Sequence, residues 1–183
     1  MTMFGDIFIK NSEDACYTTS SPLFTPVAST TDFWEMKYGG TKTIFLLELW
    51  LLYVATAESA TQDVVYLLRR STAASGGTAV ANTAVYHDTT SGAPGAVVRH
   101  FTANPATGPL VGNIMASAIN PAFPGTGASI INTLPGQCIY RAQSIQQALK
   151  LVASGQAFTL NSNGTKPGGT SPQLSVKAVW KEV

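Results

Sequence analysis

Charge is the scarcest property of this sequence. Lys, Arg, Asp and Glu make up 11% of its 183 residues, against about a quarter in an average soluble domain. The net charge is +1, and the only adjacent pair of cations is Arg69 and Arg70, which we interpret as the solvated end of a strand. A nucleic-acid-binding domain concentrates positive charge on one face, so we expect no nucleic-acid partner. Sparse charge also fits a surface covered by partners better than that of a freely diffusing enzyme.

Long apolar segments are missing as well. A membrane helix needs about 20 mainly apolar residues, whereas the most apolar stretch, TIFLLELWLLYVAT at residues 43–56, is shorter and contains Glu48. The chain begins MTMFGDIFIKNSED, without the basic start of a secretory signal. We therefore expect no contact with a membrane. Disorder would require low hydrophobicity, and 45% of the residues are hydrophobic.

Residues that carry catalysis or bind metals are few. His87 is followed by Asp88, but a catalytic triad needs a base held between a nucleophile and an orienting group, and no G-x-S-x-G or phosphate-binding loop is present. His100 has no second ligand at metal spacing, and we place it on the exposed or subunit-facing side of a strand. Cys16 and Cys138 form no CxxC; we expect two buried free thiols, although a disulfide stays open. We expect no catalytic residue, cofactor or metal.

One acidic and aromatic segment needs an interpretation. In TTDFWEMKY, Asp32 and Glu35 stand beside Phe33, Trp34 and Tyr38. Paired carboxylates hydrolyse glycosides and aromatic rings bind sugars, so a carbohydrate-active enzyme is one hypothesis. We favour a strand with core aromatics and solvated acids, because acidic side chains are seldom buried. The sequence therefore predicts no enzyme.

What the sequence does contain is a series of β-like segments. The apolar run follows Gly39-Gly40 and precedes the β-rich TQDVVYLLRRST, which favours a strand over a helix, although its Leu and Glu residues keep a helix open. The other segments, separated by loops rich in Ser, Thr, Pro and Gly, are DIFIK, ACYTTS, DFWEMKY, AVVRHFTA, PLVGNIMASAI, ASIINTL, QCIYRA, QALKLVAS, QAFTLNSN and PQLSVKAVWKEV, with a weak strand at residues 79–85. Only RAQSIQQALKLVAS is a further helix candidate.

Eight or more short strands predict an all-β protein. We expect an antiparallel β-sandwich, in the form of a jelly roll with an extended N-terminal arm. The expected division places an arm and short strands in residues 1–40 and the β-sandwich domain in residues 41–183.

The apolar run has an unusual pattern for a strand. Strict alternation would place Ile44, Leu46, Glu48, Trp50, Leu52 and Val54 on one face and Phe45, Leu47, Leu49, Leu51, Tyr53 and Ala55 on the other. A half-exposed strand alternates apolar with polar residues, and this one does not, so both faces need a cover. We predict that the subunit's core covers one face and a neighbouring subunit the other, with the oligomer interface formed by Phe45, Leu47, Leu49, Leu51 and Tyr53.

Glu48 interrupts this run. A carboxylate between two leucines is costly to bury unless it is paired. We predict either an ion pair with Arg69, Arg70 or Arg141, or exposure at a channel or a subunit axis.

Two segments carry a resemblance to a known family. VVYLLRRSTAASGGTAVANTAVYHDTTSGAPGAVVRHFTANP and the C-terminal LNSNGTKPGGTSPQLSVKAVWKEV resemble small virion proteins of tailed bacteriophages, with their patterns LRRST…GGT…T…HD…A…V…YTANP and LNGxxxPGGxxxxxxxxWxE. The resemblance covers residues 40–183, and its motifs are structural rather than catalytic.

The resemblance implies a jelly-roll capsid decoration, or cement, protein. Such a protein stabilises the head as a homo-oligomer, with a trimer favoured, bound to the major capsid protein on the capsid surface of the virion after synthesis in the host cytoplasm. The alternative is a head or tail fibre module or a receptor-binding module. The resemblance implies no functional residues and no cofactor.

Overall fold

The computed structural model describes residues 15–27, 31–40, 42–55, 64–88, 90–118, 132–162 and 173–183. Within these residues the chain forms twelve strands and one short 3-10 turn, Ile145–Gln147. The strands are β1 Ala15–Ser20, β2 Asp32–Tyr38, β3 Ile44–Ala55, β4 Val64–Arg70, β5 Ala79–Ala81, β6 Ala84–Tyr86, β7 Ala96–Phe101, β8 Leu110–Ala118, β9 Asn132–Arg141, β10 Leu149–Leu151, β11 Ala157–Asn161 and β12 Gln173–Glu182. RAQSIQQALKLVAS therefore forms no α-helix, because it holds only the end of β9, the turn and β10.

The strands form two antiparallel sheets packed face to face. Sheet A has the order β10-β3-β12-β1-β6, with β9 also paired to β3, and sheet B has the order β5-β7-β2-β11-β4-β8. β5, β6 and β7 can be set aside, and β9 with β10 can be counted as one interrupted strand. When the eight strands that remain are renumbered 1 to 8 in chain order, the order is 1-8-3-6 in sheet A and 2-7-4-5 in sheet B. This is the order of a jelly roll. The predicted all-β sandwich is confirmed.

The sandwich begins before residue 41, so the expected boundary is corrected. β1 lies between β12 and β6, and β2 lies between β7 and β11. Both strands are hydrogen-bonded along their two edges, and they are therefore integral to the sheets. Residues 1–14 of the predicted arm, which include the DIFIK segment, lie outside the described residues.

The core lies between the two sheets and is rich in aromatic side chains. Trp180 of β12 stacks on Tyr17 of β1 with 5.4 Å between the ring centroids. The largest side chains that are almost fully buried are Tyr17, Phe33, Trp34, Met36, Ile44, Leu46, Leu49, Leu51, Tyr53, Phe101, Phe158 and Trp180. Burying one side chain of this size stabilises the fold by about 1.5–3 kcal/mol.

A β-bulge in β3 changes which of its side chains face the core. Trp180 pairs with Leu46 and Val179 pairs with Glu48, which leaves Leu47 as an extra residue on β3. Since strand side chains alternate with a period of two, one extra residue exchanges the two faces beyond it. The residues facing the core are Ile44, Leu46, Leu49, Leu51 and Tyr53, all at most 2% exposed. The predicted strict alternation is therefore wrong beyond Leu47.

The chain's own loops cover part of the outer face of sheet B. The segment after β4 and the segment before β8 cross this face, and Ser75 and Ala106 exchange backbone hydrogen bonds between them. Two buried ion pairs lie beneath these loops, Arg70 with Asp32 and Arg99 with Glu35.

The interpretation of these acids as solvated is wrong, because Asp32 and Glu35 are both 0% exposed. Arg70 is likewise buried and not a solvated strand end. Arg69 is half-buried; its Nη2 donates to the Lys150 carbonyl, and its guanidinium lies 5.7 Å from the centre of the Phe158 ring.

Candidate interaction surface

The outer face of sheet A carries an apolar stripe along β3. We define the β3 stripe as Phe45, Trp50, Leu52 and Val54, four half-buried side chains that point away from the core. The hydrogen bonds and ring contacts made by Phe45 and Trp50 in the described part of the chain are all with other residues of sheet A. The outer face of sheet B differs in that loops cover part of it, over two ion pairs.

Glu48 lies in the middle of this face and holds the Trp50 ring in place. Its Oε1 accepts from Arg141 Nε at 3.0 Å, and its Oε2 accepts from Trp50 Nε1 at 2.8 Å. The Arg141 guanidinium lies 5.3 Å from the centre of the Trp50 ring. The predicted ion pair of Glu48 with Arg141 is therefore confirmed.

This cluster is partly exposed, so its ion pair contributes little to the stability of the fold. The side chains of Arg141 and Glu48 are 57% and 31% exposed, and exposed pairs stabilise a protein by at most about 1 kcal/mol. Trp and Arg are also residue types that are enriched among the binding hot spots of protein interfaces.

A second cation contacts the other aromatic residue of the stripe. Lys150 and Lys181 are the cross-strand neighbours of Phe45 on its two sides. The Lys150 ammonium lies 5.1 Å from the centre of the Phe45 ring, within the range of a cation–π interaction. Farther along the sheet, Lys177 stands directly opposite Trp50. The apolar stripe is thus bordered by positive charge.

The five residues predicted as an oligomer interface do not share one surface. Phe45 points outward, and Leu47 is half-buried at the bulge. Leu49, Leu51 and Tyr53 are 0%, 1% and 2% exposed and belong to the subunit's own core, so they are corrected to core residues. The existence of an oligomer stays a prediction.

Sequence reasoning missed Trp50, Leu52 and Val54 as surface residues, although one signal could have found them. Under strict alternation all three share a face with Glu48, and a carboxylate avoids the core. That face was therefore the better candidate for the outside.

The side chains of His87 and Asp88 have different hydrogen-bond partners. His87 is exposed, its Nε2 lies 2.5 Å from Thr18 Oγ1, and its backbone N–H donates to the carbonyl of Cys16. Asp88 Oδ1 accepts two hydrogen bonds from Thr90 at 2.9 Å, and these bonds lower the pKa of the Asp88 carboxyl. The two neighbouring side chains thus bind different partners.

His100 is a core residue, contrary to the prediction of an exposed or subunit-facing position. It is 3% exposed, its Nδ1 lies 2.8 Å from Asn82 Oδ1, and its ring stacks on Phe24 at 4.6 Å. Burial lowers the pKa of the His100 imidazole. The alternation of AVVRHFTA could not reveal this, because both faces of β7 are partly covered.

The carboxylates of Asp32 and Glu35 form hydrogen bonds with other residues of the fold. Asp32 accepts from Arg70 Nη2 and Nε at 2.7 and 3.1 Å and from Asn161 Nδ2 at 2.9 Å. Glu35 accepts from Arg99 and from the backbone N–H of Ala74. Both carboxylates are buried and hydrogen-bonded, so this pair has no access to a glycoside.

The remaining reactive groups form no centre in the described part of the chain. Cys16 and Cys138 are free, half-buried thiols, and burial raises the pKa of the Cys16 thiol. No three His, Cys, Asp or Glu side chains are grouped to hold a metal among the described residues. Helices that could span a membrane are likewise missing from the described ranges. No protein-family model, curated protein or solved structure matches this chain.

Proposed function

We propose that this protein is a structural component of a tailed phage virion, which decorates and stabilises the capsid as an oligomer. The observation that supports this function is the difference between the two outer faces of the sandwich. The chain's own loops, held by two ion pairs, cover part of the outer face of sheet B, while sheet A presents the β3 stripe. A subunit built to be covered by a neighbour needs such a face, and jelly rolls are a recurrent fold of viral capsid proteins.

The size of this face suits a specific protein contact. A ten-residue strand such as β12 is about 33 Å long, and five neighbouring strands are about 24 Å wide. The outer face of sheet A therefore offers roughly 600–800 Å², close to the 800 Å² or so that each partner contributes to a standard interface. Aromatic and Arg anchors near its centre match the composition of such interfaces.

The proposed role is mechanical. A cement protein holds neighbouring capsid subunits together through buried area, against the outward pressure of the packaged genome. The described residues can meet this demand, because every strand of the two sheets is antiparallel and hydrogen-bonded to at least one neighbour. The trimer expected from the family resemblance stays part of this proposal.

Immunogold labelling of intact particles tests the function directly. Antibody against this chain should spread gold evenly over the heads in electron micrographs. Gold confined to a tail end or to one vertex would instead support the fibre or receptor-binding alternative. Particles without any gold would remove the virion role. Heads that lack the protein should also release their DNA at lower temperature than complete heads.

A further inference from the structure

We propose that the outer face of sheet A binds an acidic protein surface with an apolar centre. This inference rests on the proposed function in one respect only, since it takes the capsid protein as the carrier of that surface. It adds the chemistry of the partner, which the fold does not specify.

The charge on this face is strongly one-sided. Lys150 and Lys181 flank Phe45, Lys177 stands opposite Trp50, and Arg141 stands opposite Glu48. Lys150, Lys177 and Arg141 are the exposed cations of this set, and Glu48 is the one described carboxylate among them. β3 separates the cations of β9 and β10 from those of β12, and two strand spacings of about 4.8 Å are comparable with the Debye length of about 8–10 Å, so these like charges repel each other across β3. An acidic partner would relieve this repulsion.

Part of the excess arises because the fold buries Glu182 on backbone and Trp180 donors. The described residues contain five acidic side chains, of which Asp32 and Glu35 are buried together with their ion-pair partners Arg70 and Arg99, so that only the burial of Glu182 shifts the balance. Glu182 faces inward and accepts from the backbone N–H groups of Gly95 and Ala96 and from Trp180 Nε1, at 2.8–2.9 Å.

The cations of sheet A, in contrast, lie on its outer face. Lys150, Lys177 and Arg141 are exposed. Asp88, the remaining described acid besides Glu48, follows the end of β6 and is not on the stripe. The exposed cations of this face and Glu48 therefore give its described part a net charge of +2.

The aromatic geometry favours a protein over a nucleic acid. Proteins that bind single strands stack bases on free aromatic rings along a positive groove. Here Lys150 already lies over Phe45 and Arg141 over Trp50. The Glu48 carboxylate, bonded to both Arg141 and Trp50, would also repel a phosphate at the centre of the face.

The test compares two charge reversals of equal size. Lys177→Glu changes the face, and Lys42→Glu changes an exposed lysine just before β3, outside the face. The probes are a random Glu–Tyr copolymer, which is acidic and aromatic, and a 20-nucleotide oligothymidine. Binding is measured by biolayer interferometry in 50 and 300 mM NaCl, after circular dichroism has shown that both variants melt like the wild type.

We expect the wild type to bind the copolymer, more weakly at the higher salt concentration. Lys177→Glu should weaken this binding about tenfold, and Lys42→Glu by less than about twofold, because only the former places a like charge against the bound acid. Equal effects of the two variants would overturn the inference. Tighter binding to oligothymidine, sensitive to Lys177→Glu, would also overturn it.

A second assay separates this inference from the proposed function. Labelled wild type and Lys177→Glu are added to heads that lack the protein. Binding by the wild type but not by the variant supports both proposals, whereas equal binding refutes the acidic partner and leaves the capsid role intact. Loss of copolymer binding in Lys177→Glu, with no binding of the wild type to heads, supports the acidic partner and refutes the capsid role.

Discussion

Arg99 and Glu35 face each other across two strands on the outer side of sheet B, with Arg99 Nε and Nη2 2.9 and 2.7 Å from Glu35 Oε1. The same two side chains hold the backbone of Ala74: its N–H donates to Glu35 Oε2, and its carbonyl accepts from Arg99 Nη2. One ion pair thus joins β2, β7 and the loop after β4. This loop helps to cover part of the outer face of sheet B.

Removing Arg99 should destabilise the fold severely. In Arg99→Ala the Glu35 carboxylate stays buried without its cation, and breaking a buried pair in this way costs about 3–5 kcal/mol. The free energy of unfolding, measured by urea denaturation, should fall by that amount. Lys42→Ala, at an exposed position, should stay within about 0.5 kcal/mol of the wild type. A loss below about 1 kcal/mol in Arg99→Ala would contradict the role given to the pair.

Gly108 should not tolerate a side chain. A Cβ at this buried position would lie 2.0 Å from the carbonyl oxygen of Thr72, a backbone atom, and the Gly108 carbonyl accepts from Arg70 Nη1. Gly108→Ala should therefore lower the free energy of unfolding by about 1–3 kcal/mol, because the loop must shift. Gly92→Ala is the control, since no atom lies within 4 Å of its Cβ position. Thermal denaturation of both variants checks this, and equal melting temperatures would contradict it.

Two leucines of β3 should respond differently to aspartate. Leu49 is 0% exposed in the core, so Leu49→Asp should unfold the subunit at a cost above about 4 kcal/mol. Leu52 is half-buried on the outer face, so Leu52→Asp should keep the wild-type circular dichroism spectrum and bind the Glu–Tyr copolymer more weakly than the wild type. Circular dichroism and biolayer interferometry measure the two effects. A folded Leu49→Asp beside a Leu52→Asp that binds the copolymer like the wild type would restore the face assignment predicted from the sequence.

Acid should weaken the fold through His100. Burial lowers the pKa of this imidazole below its ordinary value of 6.5, so between the two values the unfolded chain binds more protons than the folded one. The free energy of unfolding therefore falls as the pH drops from 6.5 towards the folded pKa, and this contribution is fully lost below that pKa.

The matched variant for this prediction is His100→Gln, which has no titrating group at this position. Urea denaturation of both proteins at intervals from pH 7.5 to pH 5 isolates the contribution of His100 from that of the carboxylates. The loss of stability over this range should be smaller in the variant. Parallel curves for the two proteins would show that His100 does not titrate as its burial requires.

Local sequence patterns were sufficient to predict the fold class. The alternating and apolar runs predicted β3, β7, β8, β11 and β12 as strands, and the sandwich followed from their number. The partner of Glu48 was also among those predicted, because a carboxylate within an apolar run needs a cation and few were available.

The faces of β3 could not be read from its own residues. The bulge at Leu47 depends on how β12 pairs with β3, and these strands are more than one hundred residues apart in sequence. One extra residue exchanged the core and the surface, so three predicted interface residues are core residues. The burial of Asp32 and Glu35 was equally hidden, since their partners Arg70 and Arg99 come from distant strands.

The sequence by itself determined that this is an all-β chain with little charge, because strand periodicity and composition are local properties. Only the tertiary structure decided where the charge lies. The fold buries three acids inside its own ion pairs and backbone contacts, and it brings Arg141, Lys150, Lys177 and Lys181 from three strands onto one face. These cations are scattered along the sequence and form no stripe in it. Hydrogen bonding between distant strands assembles them into one surface, and a pattern of neighbouring residues cannot record that pairing.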